Sequence, residues 1–66
     1  MVTIRHRFSG KDLAHYEWGR NLLMATLING TKLRLGGTLY EVVDRIIEGL
    51  DDENCNLVVI VTDASL

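Results

Sequence analysis

Cysteine is nearly missing from this chain: Cys55 stands alone, so no internal disulfide can form, and a single thiol fits a reducing compartment. It follows the acidic run Asp51, Asp52 and Glu53, surroundings opposite in sign to those that generate a reactive thiolate. Long apolar runs are missing too. None approaches the roughly 20 residues that cross a membrane as a helix, so no membrane segment is expected. The amino-terminal MVTIRHRF puts charge where an export signal has its apolar core, which predicts no export signal and a cytoplasmic setting.

Patterns that carry chemistry are equally sparse. No serine lies in a GxSxG turn, and His6 and His15 have no serine or cysteine partner, so hydrolase chemistry has no support and no enzyme is expected. The two histidines also lack a companion at metal-ligand spacing. Asp51, Asp52 and Glu53 are consecutive, whereas a calcium loop needs oxygen ligands at alternate positions and a glycine for its turn; they read as a solvated loop. Gly36-Gly37 is followed by neither the lysine nor the further glycine of a phosphate-binding loop and reads as a turn. No cofactor or metal is predicted.

What is present is one small domain spanning 1–66, near the size at which a single core suffices without disulfides or metal, so association with a partner or a copy of itself is expected. An apolar fraction of 47% and a charged fraction of 24% are those of an ordinary globular domain. The net charge of −2 conceals an asymmetry. Residues 1–34 carry Arg5, Arg7, Lys11, Arg20, Lys32 and Arg34 against Asp12 and Glu17; residues 35–66 carry Arg45 against seven acids. Such a layout either steers a charged partner or, where the halves interleave in the fold, neutralises itself.

Taken in order, VTIRHRF alternates, with Val2, Ile4, His6 and Phe8 on one face and Thr3, Arg5 and Arg7 on the other, a half-buried strand that makes His6 a partly buried histidine. A two-residue turn at Ser9-Gly10 then sets Arg7 opposite Asp12 and His6 opposite Leu13, in a hairpin running to about Tyr16. A helix starting at Ser9 is the rival reading. WGRNLLMATLING, 18–30, admits a short helix ended by Asn29-Gly30 or a strand turned by that same pair; its scarcity of β-branched residues favours the helix. Gly36-Gly37 fixes a second hairpin, with Lys32 facing Glu41, Leu33 facing Tyr40, and Leu33, Leu35, Tyr40 and Val42 inward. A capping-box pattern at Thr38 offers a competing helix, against which stand the β-branched Val42, Val43, Ile46 and Ile47. GLDDEN is a loop, and the unbroken run LVVIV, 57–61, is a strand covered on both faces, either at the centre of the sheet or with one face against another subunit. Because that run has more apolar surface than one small sheet and one short helix readily cover, the Thr31–Val61 meander is the expected place for an interface, and TDASL a frayed tail.

Two surfaces suggest partners. Arg5, Arg7, Lys11 and Arg20, with Tyr16 and Trp18, have the composition of a patch for single-stranded nucleic acid, against which stands the net acidity. Trp18 fits better in the core or as the anchor of a protein interface, and Asp51, Asp52 and Glu53 offer an acidic counterpart.

VTIRHRFSGKDL resembles the amino-terminal hairpin that precedes the repeats in bacterial and phage pentapeptide-repeat proteins, and Phe8, Leu13, Trp18, Leu23, Ile28 and Leu33 recur every five residues. Lys11 and Tyr16 stand where that pattern needs small residues, so its β-helix is not carried over. LRLGGTLYEVVDRI followed by NLVVIVTD is similar to the strands of small SH3-like barrels. The resemblances imply a small phage or prophage protein. The expected fold is a β-rich α+β domain: an amino-terminal β-hairpin, one short helix and a three-stranded antiparallel meander, with an all-β SH3-like small barrel as the alternative. The expected function is a non-enzymatic protein-interaction module, binding a host protein or forming a homodimer, with nucleic-acid binding as the alternative.

Overall fold

The computed structural model describes residues 1–17, 27–49, 51 and 55–64. Among these residues, five strands form one mixed sheet that curls into a half-barrel. They are β1 (Val2–His6), β2 (Asp12–Tyr16), β3 (Lys32–Leu35), β4 (Thr38–Glu48) and β5 (Asn56–Asp63), in the spatial order β2-β1-β5-β4-β3. Every neighbouring pair is antiparallel except β1 with β5, which run parallel. The apolar run LVVIV lies in β5 and takes the middle of the sheet, as a strand buried on both faces must.

Alternation along β1 and β5 builds the core. Val2, Ile4, Val42, Leu57, Val59 and Val61 form a buried cluster, with Leu13, Ala14, Tyr16, Leu27, Leu33, Leu35 and Tyr40 packed around it. On the other face, Thr3 lies beside Val58, and both are buried. The second hairpin has the register expected from Gly36-Gly37: Lys32 faces Glu41 and Leu33 faces Tyr40. Both glycines have positive φ, 56° and 83°, the conformation of the two-residue turn whose twist matches that of its strands.

Two irregularities decide which residues share a face. On β4 the register steps from Val42 opposite Val61 to Asp44 opposite Ile60, so Val43 is the extra residue of a bulge. Beyond it Arg45 and Ile47, rather than Asp44 and Ile46, lie on the side of Val59 and Leu57. On β2 the step falls between Ile4 opposite Ala14 and Arg5 opposite Asp12, with Leu13 as the extra residue.

Several expectations are corrected. The first turn is not the two-residue Ser9-Gly10: His6 and Lys11 close a four-residue loop, with His6 N donating to Lys11 O at 2.8 Å and Gly10 N to His6 O at 3.0 Å. Asp12 therefore faces Arg5 instead of Arg7, and Phe8 sits in the loop, exposed, instead of on the inner face. The rival helices from Ser9 and Thr38 are replaced by β2 and β4. The expected helix over 18–30 falls mostly outside the described residues. Its described end, 27–30, is not helical: Thr31 N donates to Ile28 O at 3.1 Å, a turn that feeds β3 with Gly30 at φ 94°. The one short helix is thus absent among the described residues, and the sheet agrees with the small-barrel alternative. The tail is ordered as far as Ala64, whose N–H donates to Leu39 O at 3.0 Å. Within LVVIV, Leu57, Val58, Val59 and Val61 are buried, and Ile60 is half-buried on the face opposite the core.

Because Ile4 is fully buried between β2 and β5, Ile4→Ala removes contacts at the centre of the core. It lowers the unfolding free energy in urea by about 2–5 kcal/mol.

Candidate interaction surface

The expected basic and aromatic patch does not come together as one surface among the described residues. Arg5 lies on the sheet face opposite the core, its Nε donating to Asp12 Oδ1 at 2.6 Å and its Nη1 3.9 Å from Glu48 Oε2. Tyr16 faces Val2 and packs on the core. Arg7 and Lys11 are exposed at the first loop, where the Arg7 guanidinium lies 5.5 Å from the centre of the Phe8 ring. Asp51 is exposed in the turn after β4. Trp18, Arg20, Asp52 and Glu53 lie outside the described residues. The sheet order sets basic β1 and β3 against acidic β5 and β4, so the charged halves interleave.

A polar network crosses the face opposite the core. The bond from Arg5 holds the Asp12 carboxyl below its ordinary range, and Asp12 in turn raises the Arg5 guanidinium. The Thr3 hydroxyl donates to Asn56 Oδ1 at 3.1 Å, and its oxygen lies 3.1 Å from His15 Nδ1. With the hydroxyl proton on Asn56, His15 Nδ1 is the donor in that second contact. His15 Nε2 is 3.8 Å from Asp12 Oδ2, so threonine, histidine and aspartate follow one another as in a nucleophile relay. The chemistry does not follow the likeness: Thr3 is 1% exposed and its proton is directed at Asn56, away from the histidine.

His6 binds the first loop to the end of β5. Its Nδ1 accepts from the backbone N–H groups of Phe8 and Ser9 at 3.3 and 3.4 Å. That fixes the proton on Nε2, which donates to Asp63 Oδ1 at 3.2 Å. The ring packs edge-on against Tyr40. His6 is the satisfied, partly buried histidine expected from the alternation of β1. Among the described residues, no three His, Cys, Asp or Glu side chains are grouped to hold a metal, and no helix is long and apolar enough to cross a membrane.

Within the Thr31–Val61 stretch expected to hold an interface, the surface that stands out is the second half of β4. β3 pairs only with Thr38–Glu41, and Thr31 and Gly30 extend that ladder to Val42. Beyond the bulge no described residue pairs with Asp44–Glu48 on the side away from β5. Arg45 N donates to the side chain of its own neighbour, Asp44 Oδ1, at 2.8 Å. Ile46 and Ile47 are 45% and 56% exposed on opposite faces. A hollow of about 350 Å³, lined by Asn29, Asp44, Arg45, Ile47 and Leu57, lies against this segment. In the sequence Ile46 and Ile47 mark a strand but not its free side, because how far β4 outruns β3 depends on the pairing.

Comparison with family models, with curated proteins and with solved structures gives no match.

Two expected outcomes test this description. His6→Asn keeps an oxygen where Nδ1 accepts and loses the reach to Asp63, whereas His6→Ala loses both. Chemical denaturation should therefore place the alanine variant about 1 kcal/mol below the asparagine variant. For Asp12, whose folded-state carboxyl is lowered, the pair with Arg5 stabilises the fold above the ordinary aspartate range and stops doing so as pH falls through the lowered value. Wild type should thus exceed Asp12→Asn in thermal stability at neutral pH, and the gap should close as pH falls through the lowered carboxyl value, read from melts across a pH series.

Proposed function

We propose that this chain is a non-enzymatic protein-interaction module that takes up an extended segment of a partner protein along the Asp44–Glu48 half of β4. The observation that carries this reading is the length mismatch between β4 and β3: eleven residues against four. It leaves a strand with one side bonded to β5 and the other open among the described residues. An open strand edge supplies main-chain donors and acceptors in the spacing an added strand needs, and exposed side chains beside it supply selectivity. Ile46 and Ile47 give each face of that edge an apolar contact, and the adjoining hollow gives room for a side chain of the incoming strand.

Nucleic-acid binding is supported less well. Arg5 is engaged by Asp12, Tyr16 is packed on the core, and the exposed cations of the described basic half are split between the first loop, Arg7 and Lys11, and the edge strand β3 at the other side of the sheet, Lys32 and Arg34. Pairs of cations set that far apart in the sheet form no continuous patch, and each pair neutralises too few phosphates for appreciable affinity at physiological salt. The sequence resemblances favour a phage-encoded protein whose partner belongs to the host, met in the cytoplasm.

Selection of binders from a random-peptide library on the full chain tests the reading. Ile47→Pro removes an edge N–H and an exposed side chain, and proline is tolerated where a strand's N–H points away from its sheet. Peptides selected on wild type should lose at least about tenfold in affinity for Ile47→Pro while circular dichroism stays unchanged. Absence of any selected binder, or equal binding to the variant, sinks the proposal.

A further inference from the structure

We infer that the partner segment is basic: an extended stretch with two Lys or Arg residues four positions apart and an apolar residue midway between them. This rests on the strand-addition reading above and specifies its partner. Alternate residues of a strand share a face, so Asp44, Ile46 and Glu48 stand in a row opposite Ile60, Val58 and Asn56. All three are exposed. A strand laid alongside sets its own alternate residues against that row, and the complement of acid, apolar, acid is base, apolar, base.

The hydrogen bond within the edge gives the charge a second role. Asp44 Oδ1 holds the Arg45 N–H at 2.8 Å, in the place an incoming carbonyl would occupy. A cation opposite Asp44 draws the carboxylate away and frees that N–H for the partner's backbone. One residue thus keeps the edge closed against indiscriminate pairing and recognises the segment that opens it. Glu48 is available as well, since its ion pair to Arg5, at 3.9 Å, is long and its side chain is 53% exposed.

A second copy of this chain fits the edge badly. Antiparallel pairing of the segment with itself about Ile46 sets Asp44 against Glu48 twice. Centred on Arg45, it sets arginine against arginine; centred on Ile47, it sets Ile46 against Glu48. The first two registers oppose like charges and the third leaves the apolar position against an acid.

Fluorescence anisotropy with the full chain at low salt decides the matter, using three end-blocked labelled peptides built on Lys-Thr-Val-Thr-Lys, Gln-Thr-Val-Thr-Gln and Glu-Thr-Val-Thr-Glu. The lysine peptide should bind at least about tenfold more tightly than the glutamate peptide, with the glutamine peptide between them. Asp44→Asn keeps an oxygen to accept the Arg45 N–H, so the edge stays closed while its charge goes. It should weaken the lysine peptide several-fold and leave the glutamine peptide unchanged. The double change Asp44→Lys with Glu48→Lys should reverse the order of the charged peptides. Equal binding of all three peptides that Ile47→Pro abolishes would overturn the basic specificity and leave strand addition standing. No binding by any of them overturns the basic partner, and failure of the library selection as well overturns strand addition.

Discussion

The parallel pairing of β1 with β5 is the contact on which the rest of this sheet depends. It joins Val2–His6 to Leu57–Val61 across almost the whole chain, with Leu57 N donating to Met1 O at 2.9 Å and Arg7 N to Val61 O at 2.8 Å. Both hairpins are local and form about their own turns, but neither is a folded domain by itself. Only when the first strand meets the last does Ile4 come beside Val59, with Val2 beside Leu57, and only then is there a core. The entropy of closing so long a loop is repaid by burying Leu57, Val59 and Val61 on one face of β5 and Val58 on the other, which is why the most apolar strand lies at that seam.

The two bulges carry the consequences of that seam to the surface. Leu13 as an extra residue lets Ala14 and Tyr16 turn to the core while Asp12 turns to Arg5 on the other face. Val43 does the same on β4, placing Tyr40 and Val42 inward before it and Arg45 and Ile47 on that side after it. Without the second bulge, Asp44 and Ile46 would take those positions and the acidic row on the open face would not exist. A bulge commonly re-aims side chains next to a functional surface, and here it separates the structural half of β4 from its open half.

That division explains how so small a domain carries a strand edge that no described residue pairs. The half of β4 before the bulge is covered by β3 and contributes Val42 to the core, so it bears the stability. The half after it contributes nothing to the buried cluster and is guarded by a charged side chain bonded to its own backbone. Apolar surface at Ile46 and Ile47 is thereby kept beside acids, the usual protection of a strand edge against aggregation.

Much of the local structure is determined by the sequence. Gly36-Gly37 determines a turn with positive φ at both residues, and that turn determines the pairing of Lys32 with Glu41 and of Leu33 with Tyr40. The alternation of VTIRH determines a half-buried strand with His6 inward, and an unbroken LVVIV determines a strand covered on both sides. These are short-range matters of periodicity and backbone sterics, which a window of a few residues contains. The tertiary structure alone decided that β1 lies parallel to β5, that Arg5 instead of Arg7 meets Asp12, and that β4 outruns β3, its end unpaired on one side among the described residues. Each depends on where two distant segments come into register and where one extra residue is absorbed, and nothing within either segment specifies that.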